Sequence, residues 1–198
     1  MITIMNGKTD EPMTLQQIYL NNIRNGWPDK GTVHSYIEVY AEILEPYRTT
    51  AKNILEIGIL NGSSLRMWEQ YFTGTVYGVD CTDQPVGGQY DLRTMIAELT
   101  HNIIIMDGTS EADIAKHFSG MKFDVIIDDG SHQIEHQVKS YFALKDYLSE
   151  GGIYIIEDIQ DIDTSKIIFE NIDSEKTVLI LDRRKIKGRY DDVLIVIQ

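Results

Sequence analysis

The 198-residue sequence has little cysteine and no long apolar run, and each shortage argues against a class of protein. Its one cysteine, Cys81, cannot form an intramolecular disulfide, which fits a reducing compartment, so we expect a cytoplasmic protein. No apolar stretch approaches the roughly 18–20 residues that cross a bilayer, so a membrane partner is not expected. The segment Met1–Asn6 has no basic region followed by an apolar core, and we therefore expect no secretory signal.

Basic residues are also scarce. The 18 lysines and arginines face 31 aspartates and glutamates, for a formal charge of −13. A surface this acidic repels phosphate backbones, so nucleic acid is not an expected partner. The exception is a basic stretch from Arg183 to Arg189, which we interpret as a solvated turn that could also orient an anionic acceptor.

Short apolar runs alternate with helical segments from about residue 53 onward. This alternation predicts a parallel sheet with helices on both faces, and the continuous apolar character of the runs fits strands buried on both sides. Two later runs, joined by the basic stretch, fit a hairpin and add an antiparallel strand. We predict one domain over residues 1–198, with an N-terminal helical segment at 1–50 acting as a lid and a sheet core at 51–198.

The predicted elements follow from apolar spacing and from glycine and proline punctuation. A loop is predicted at 26–31. Helices are predicted at 14–23, 32–44, 63–72, 92–99, 111–118 and 134–148, and strands at 54–57, 75–79, 103–105, 123–127, 153–156, 177–181 and 193–197.

Carboxylates stand at the end of each of the five predicted parallel strands, where ligands bind in open α/β sheets. Helix N-capping would explain one or two of them, but not paired carboxylates after two strands. The residues are Glu56, Asp80, Asp107, Asp128 with Asp129, and Glu157 with Asp158.

The glycine loop after the first strand differs from the dinucleotide-binding pattern. Gly58 and Gly62 do not match the spacing G-x-G-x-x-G. An acid within the strand, Glu56, favours a cationic ligand over a pyrophosphate. Asp80 ends the second strand, where an acid binds ribose hydroxyls. The pattern indicates a nucleoside with a positively charged tail, such as S-adenosylmethionine.

These motifs resemble those of class I S-adenosylmethionine-dependent methyltransferases, and more narrowly the macrocin O-methyltransferase and cephalosporin-hydroxylase-like group. The resemblance runs from about residue 29 to residue 158 and rests most on the motifs IDDGSH (127–132) and GGIYIIED (151–158). It implies a Rossmann-like three-layer α/β sandwich. The implied sheet is seven-stranded and mostly parallel, in the order 3-2-1-4-5-7-6, with an antiparallel C-terminal strand.

The resemblance also implies residue roles. It assigns S-adenosylmethionine binding to Glu56, Gly58, Gly62, Ser63, Asp80, Asp107 and Asp128. It assigns Mg²⁺, or another hard divalent cation, to Asp129, Glu157 and Asp158, and catalysis to His132 together with Asp129. The chemistry agrees, because carboxylates suit hard cations, a bound cation lowers the pKa of a hydroxyl, and a histidine can accept the released proton.

The favoured function is a Mg²⁺-dependent O-methyltransferase acting on a hydroxyl of a glycan or small molecule. The alternatives are a catechol-type O-methyltransferase, a non-catalytic S-adenosylmethionine-binding protein and, more remotely, a zinc hydrolase, because HQIEH (132–136) matches H-x-x-E-H. Tyr36 and Tyr40 are expected in the core, and a homo-oligomer is left open. Substrate contacts are left unassigned for His136, His34, Lys30 and the stretch from Arg183 to Arg189.

Overall fold

The structure is a computed structural model that describes residues 12–23, 29–81 and 102–198. Three sequence-based expectations fall outside these residues. They are the absence of a signal at 1–6, the first part of the loop at 26–31 and the helix at 92–99.

From residue 53 onward strands alternate with helices, and two helices that the sequence did not predict, at 162–169 and 184–187, lie between the last three strands. The helices are α1 (Leu15–Ile23), α2 (Asp29–Thr32), α3 (Ile37–Ile43), α4 (Ser63–Tyr71), α5 (Glu111–Phe118), α6 (Ile134–Leu144), α7 (Ile162–Phe169) and α8 (Arg184–Lys187), with 3-10 turns at Glu45–Tyr47 and Lys145–Tyr147. The strands are β1 (Asn53–Ile57), β2 (Thr75–Asp80), β3 (Asn102–Ile105), β4 (Phe123–Asp128), β5 (Leu148–Ile156), β6 (Val178–Asp182) and β7 (Val193–Ile197).

The seven strands form one sheet in the order β3-β2-β1-β4-β5-β7-β6, which confirms the predicted order. Strands β1 to β5 are parallel, and β7 runs antiparallel to both β5 and β6. The last residues of three strands align across the sheet, since Ile57 pairs with Asp128 and Asp128 with Ile156. The residues that follow these strands therefore meet at one edge.

Apolar clusters cover both faces of the sheet. Ile54 and Val125 pack with Trp68 on one face, whereas Leu55 and Ile126 belong to the cluster on the other. Successive residues of a strand are thus both buried, one on each face of the sheet. This explains why the strands appear in the sequence as continuous apolar runs. No helix within the described ranges is long and apolar enough to cross a membrane.

The predicted helix at 32–44 is wrong in its first part. Helix α2 ends at Thr32, and α3 begins only at Ile37. Between them, the Ser35 backbone N–H donates to Asp192 Oδ1 at 2.9 Å and its hydroxyl donates to Asp192 Oδ2 at 2.7 Å. These bonds satisfy a buried carboxylate beside β7, and they hold Ser35 in the break between the two helices.

The predicted helix at 134–148 is too long, and the strand predicted at 153–156 is too short. Helix α6 ends at Leu144, and β5 already begins at Leu148. The strand pairing is irregular there, between the pair Phe123–Leu148 and the pair Val125–Ile153. Gly151, at φ 73°, takes a left-handed conformation within this irregularity, so it does not close a helix.

Candidate active site

A cavity of about 690 Å³ opens beyond the C-terminal ends of β1 to β4. Ligands bind at this edge in open α/β sheets. Seven residues from the predicted site line it, namely Gly58, Ser63, Asp80, Asp107, Asp128, Asp129 and His132.

The loop from β1 to α4 passes very close to the residue that follows β4. Gly58 has φ 86°, and a Cβ there would lie 2.0 Å from the backbone oxygen of Asp129. Only glycine fits this position. Gly62 is also left-handed, at φ 67°, and directly precedes α4, while the Ser63 N–H donates to Asn61 Oδ1 at 3.0 Å. The loop is therefore ordered by its own short-range bonds.

Two of the predicted cofactor carboxylates are oriented by nearby backbone. Asp80 Oδ2 accepts a hydrogen bond from the Ile59 N–H at 3.0 Å. Asp107 Oδ1 accepts from both the N–H and the hydroxyl of Thr109, each at 2.8 Å, and these bonds hold the pKa of Asp107 below its usual value. Both carboxylates lie on the cavity wall, at the ends of β2 and β3.

Glu56, the acid within β1, is fully buried. Its Oε2 accepts from the Ser64 hydroxyl at 2.8 Å, and its Oε1 lies 3.1 Å from Lys30 Nζ. Burial raises the pKa of Glu56, and the Lys30 charge opposes that effect. Since both oxygens have protein partners, a direct contact from Glu56 to a cofactor stays a prediction.

The adjacent residues Asp128 and Asp129 have different neighbours. Asp128 Oδ1 accepts from the Gly130 N–H at 3.3 Å, and Oδ2 accepts from the Tyr154 hydroxyl at 3.4 Å. Burial raises the pKa of Asp128 to about 7. Asp129 instead contacts Lys30 and His132. Of the two carboxylates, Asp129 is therefore the one that lies between the charged side chain of Lys30 and the imidazole of His132.

Among the described residues, two groups of potential metal ligands share Asp129, and a third contains Asp158 with His34 and Asp191. The three predicted metal ligands are divided between the first two. Asp129 and Glu157 belong to one group with Glu56, whereas Asp129 and Asp158 belong to the other with His132. Within each group, the potential ligand atoms lie within 4.8 Å of one another. Asp129 therefore links the two groups, and the three predicted ligands do not form a single set.

Lys30, which the sequence analysis left unassigned, lies inside the first group. Its side chain is fully buried. Its Nζ lies 2.5 Å from Glu157 Oε1, 2.7 Å from Asp129 Oδ2 and 3.1 Å from Glu56 Oε1. No local signal in the sequence could reveal this role, because the three acids come from β1, the end of β4 and the end of β5.

Two tyrosines of the N-terminal segment hydrogen-bond the acid pair after β5. The Tyr40 hydroxyl donates to Glu157 Oε1 at 2.6 Å, and the Tyr36 hydroxyl donates to Asp158 Oδ1 at 2.8 Å. Both tyrosines are fully buried, so the expectation of core packing is confirmed, but sequence reasoning missed their hydroxyls' partners. His34 Nδ1 also lies 3.3 Å from Asp158 Oδ1, and burial lowers the pKa of His34.

His132 stands beside both Asp129 and Asp158. Its Nε2 lies 3.1 Å from Asp129 Oδ1, and its Nδ1 lies 3.7 Å from Asp158 Oδ2. Burial lowers the pKa of His132, but the hydrogen bond to Asp129 and the surrounding negative charges outweigh it, and the pKa is raised. Burial and the Asp129 charge raise the pKa of Asp158 to about 7.

Three residues of this region other than glycine have left-handed backbone. They are Leu60 at φ 46°, His132 at φ 59° and Asp158 at φ 56°. Such conformations are rare for residues with a Cβ and are concentrated at functional sites. At His132 and Asp158, this geometry occurs directly after the sheet edge, where the side chains meet.

The structure does not favour the zinc-hydrolase alternative. Helix α6 begins at Ile134, so His132 lies outside it, whereas His136 lies within it. His136 Nδ1 is 2.7 Å from the Ser131 hydroxyl. The chemistry of H-x-x-E-H needs both histidines on one helix, and they do not share one here.

The basic stretch lies between β6 and β7 and is largely exposed, as expected of a solvated turn, but two of its side chains contact the N-terminal segment. The Lys187 ammonium donates to the backbone oxygens of Gly31, Thr32 and His34. Arg183 Nε donates to the Ser35 hydroxyl at 3.1 Å. The stretch therefore holds the N-terminal segment against the sheet, because its donors satisfy backbone oxygens at the break between α2 and α3.

A second, smaller cavity of about 320 Å³ meets the first at His132 and Gln137. Seven of the eight residues that line it are polar. The lining residues are His132, Gln133, Ile134, Glu135, Gln137, Gln160, Asp161 and Ser165. His132 is thus accessible from two sides.

The donor set around Asp129 fits a hard divalent cation. Carboxylate oxygens dominate it, with one imidazole and no thiolate among the grouped residues. The two groups that share Asp129 contain four acids beside the single Lys30 ammonium, and burial together with the Asp129 charge raises the pKa of Asp158. A cation would therefore relieve the repulsion between these carboxylates.

A family described as a methyltransferase domain matches residues 55–159, from β1 to just beyond the acid pair that follows β5. The chain belongs to this methyltransferase family. The match contains the glycine loop after β1, His132 and all three predicted metal ligands.

Curated relatives of the chain are named as O-methyltransferases. The chain is 35% identical over 146 residues to the 8-demethyl-8-alpha-L-rhamnosyl tetracenomycin-C 2'-O-methyltransferase of Streptomyces olivaceus. The matched stretch covers 70% of this chain and 36% of that protein. It is 30% identical over 165 residues to the demethylmacrocin O-methyltransferase of Streptomyces fradiae. This second match covers 79% of this chain and 39% of that protein. The chain thus spans well under half the length of these relatives.

Solved methyltransferases share the fold. A structure of the MycE methyltransferase in complex with Mg, SAH and mycinamycin VI aligns at a TM-score of 0.62 and 29% identity, over 75% of this chain and 38% of that chain. Another MycE structure, in complex with Mg and SAH, aligns at a TM-score of 0.71 and 22% identity, over 95% of this chain and 55% of that chain.

Proposed function

We propose that this protein transfers a methyl group from S-adenosylmethionine to a hydroxyl of a sugar on a small molecule, with Mg²⁺ as its metal. The observation that carries this proposal is the position of His132. It borders the large cavity on the cofactor side and the smaller polar cavity, and it hydrogen-bonds Asp129.

The large cavity is proposed to hold the cofactor. Gly58 lets the loop after β1 pass close to the backbone of Asp129, Asp80 would bind the ribose hydroxyls, and Asp107 lies further along the same wall. The volume of about 690 Å³ lies within the range of small-molecule sites. Relatives that contain SAH support this assignment.

Asp129, Glu157 and Asp158 are proposed to hold the dication, whose binding would bring together the two groups that share Asp129. When bound, the dication would lower the pKa of a hydroxyl that it coordinates. The excess of carboxylate over ammonium charge around Asp129 supports this assignment, as does the Mg in the MycE complexes.

His132 is proposed as the general base. Asp129 Oδ1 fixes the direction of its imidazole through Nε2. The neutral imidazole would accept the hydroxyl proton as the acceptor oxygen bonds to the methyl group and the methyl–sulfur bond breaks, which leaves S-adenosylhomocysteine. Much of the acceleration would come from the alignment of the acceptor oxygen with the methyl group and sulfur. The segment 29–40 supplies the inner wall that holds Glu157 and Asp158 in place.

The polar cavity beside His132 is proposed to receive the acceptor. Its amides, hydroxyl and carboxylates can hydrogen-bond a molecule rich in hydroxyls. The names of the relatives, which include rhamnosyl tetracenomycin and macrocin enzymes, favour a sugar hydroxyl over an aromatic diol.

Calorimetry and turnover together test this proposal. We expect the protein to bind S-adenosylhomocysteine and not NAD, and to release S-adenosylhomocysteine when given S-adenosylmethionine, Mg²⁺ and glycosylated acceptors. Release with catechols but not with glycosides would shift the assignment to an aromatic acceptor. Binding of NAD in place of S-adenosylhomocysteine would overturn it entirely.

A further inference from the structure

The Lys30 ammonium lies where the carboxylates of three parallel strands converge. Its contacts reach Glu56 on β1, Asp129 after β4 and Glu157 after β5. A buried ammonium ordinarily loses its proton, and burial does lower the pKa of Lys30. The charges of the three acids outweigh that effect and hold the pKa well above its usual value. The Lys30 ammonium thus has three carboxylate partners inside the site.

The backbone around Lys30 is held in place from several directions. The Tyr36 N–H donates to the Lys30 oxygen at 2.8 Å, and the Lys187 ammonium binds the next backbone oxygen, that of Gly31. Gly31 has no room for a side chain, because a Cβ there would lie 2.4 Å from the ring of Tyr19. The segment therefore delivers the ammonium to a fixed position.

The ammonium engages one side of the acid cluster. It contacts Asp129 through Oδ2 and Glu157 through Oε1, the atom that also accepts from Tyr40. The other Asp129 oxygen, Oδ1, faces His132, in the group that contains Asp158. A dication held by all three predicted ligands would thus need two carboxylates that Lys30 already neutralises.

We propose that Lys30 is a built-in counter-cation that competes with the divalent metal for Asp129 and Glu157. Lys30 allows the acidic cluster to pack in the absence of metal. It also makes metal binding weaker than it would be with the carboxylates alone. This inference rests on the proposed metal site but not on methyl transfer.

Metal binding to the cofactor-free protein tests the competition directly. Calorimetry with Mg²⁺ is compared for the wild type, Lys30→Met and Lys30→Arg, with Lys116→Met, an exposed residue of α5, as the control. Loss of a positive charge a few ångströms from the ion should tighten Mg²⁺ binding roughly tenfold or more in Lys30→Met. Lys30→Arg and Lys116→Met should stay near the wild type.

A second measurement separates charge from packing. Tyr40→Phe removes a neutral bond to the same Glu157 oxygen, so its Mg²⁺ affinity should change far less than that of Lys30→Met. In chelator, Lys30→Met should lose more thermal stability than the wild type. Added Mg²⁺ should then restore more thermal stability to this variant than to the wild type. If Lys30→Met folds poorly, Lys30→Gln takes its place, because glutamine can still hydrogen-bond the acids. Its Mg²⁺ affinity and thermal stability should change in the same direction as those expected for Lys30→Met.

The outcomes distinguish this inference from the proposed function. A wild type that binds no divalent cation would refute the proposed metal site itself. If the wild type binds Mg²⁺ and the Lys30 variants bind it equally well or more weakly, the competition is refuted and the proposed metal site is not. Lys30 variants that stay unfolded in saturating Mg²⁺ would also overturn it, because a competitor must be able to replace the ammonium.

Discussion

The two halves of the site differ in how the chain builds them. On the cofactor side, partners are close in sequence, as in the bonds from Thr109 to Asp107 and from Ser63 to Asn61. On the acidic side, partners are far apart, and the Lys30–Glu157 contact spans 127 positions. The first half depends on local turns, whereas the second forms only when the N-terminal segment packs against the strand ends. Substitutions should therefore affect binding in one half, and both stability and chemistry in the other.

The largest expected effect is on turnover, through the acidic half. His132→Ala should lower turnover by roughly 10²–10⁴-fold, the usual range for loss of a general base. S-adenosylhomocysteine affinity should stay near that of the wild type, because the cofactor contacts lie elsewhere in the cavity. Steady-state kinetics and calorimetry measure the two quantities, with His117→Ala on the exposed face of α5 as the control. Normal turnover in the His132 variant would remove the proposed base.

Metal removal should likewise affect turnover, through the acidic half, and leave cofactor binding intact. A chelator should stop methyl transfer, and added Mg²⁺ should restore it, while S-adenosylhomocysteine still binds. Asp129→Ala should remain inactive at any Mg²⁺ concentration, since both groups of acids lose their shared member. Full activity in chelator would contradict the metal assignment.

Stability should respond more in the acidic half. Tyr40→Phe leaves the buried Glu157 oxygen with one partner fewer, so the free energy of unfolding should fall by about 1–3 kcal/mol. Tyr190→Phe is the matched control, because Tyr190 is 64% exposed. Denaturant unfolding measures both variants, and equal stability of the two would argue against a structural role for the Tyr40 hydroxyl.

On the cofactor side, the expected effect is on binding alone. Asp80→Ala should weaken S-adenosylhomocysteine binding by roughly 1–3 kcal/mol, the scale of lost polar contacts. Calorimetry measures the affinity, and a denaturant titration checks that the fold is intact. An unchanged affinity would remove Asp80 from the cofactor contacts.

The smallest effect is expected at the exposed end of the basic stretch. Arg184 forms an ion pair with Asp182 at 2.7 Å, and both side chains are 41% exposed. Exposed pairs contribute about 0–1 kcal/mol, so Arg184→Ala should scarcely change stability. Lys187→Met should cost more, because Lys187 binds three backbone oxygens of the N-terminal segment. Equal costs would mean that this attachment contributes little.

Most of the fold could be predicted because its signals are local. Apolar runs marked six of the seven strands to within one residue at each end, and the start of α6 was predicted at Ile134. The break between α2 and α3 could not be predicted, since it depends on Asp192, 157 positions from Ser35. Helix α7 was missed although it has a local signal, the Asp161 side chain that caps it by accepting from the Thr164 N–H.

The candidate site divides in the same way. Strand ends predicted which carboxylates would gather at the sheet edge, because parallel strands place their C-terminal ends together. The direction of each side chain was not predictable, and neighbours such as Asp128 and Asp129 have separate partners. Lys30 carries no motif, and its role depends on three acids that only the folded chain assembles.

The left-handed backbone at Leu60, His132 and Asp158 has a consequence for engineering. Each costs roughly 1–2 kcal/mol relative to glycine, so the chain gives up stability where it places these residues. A selection for heat resistance alone would favour glycine or asparagine at all three positions. At 60 that exchange could be harmless, but at 132 and 158 it would remove the imidazole and a carboxylate. Laboratory evolution of a hardier protein should therefore hold 132 and 158 fixed and leave 60 free to vary.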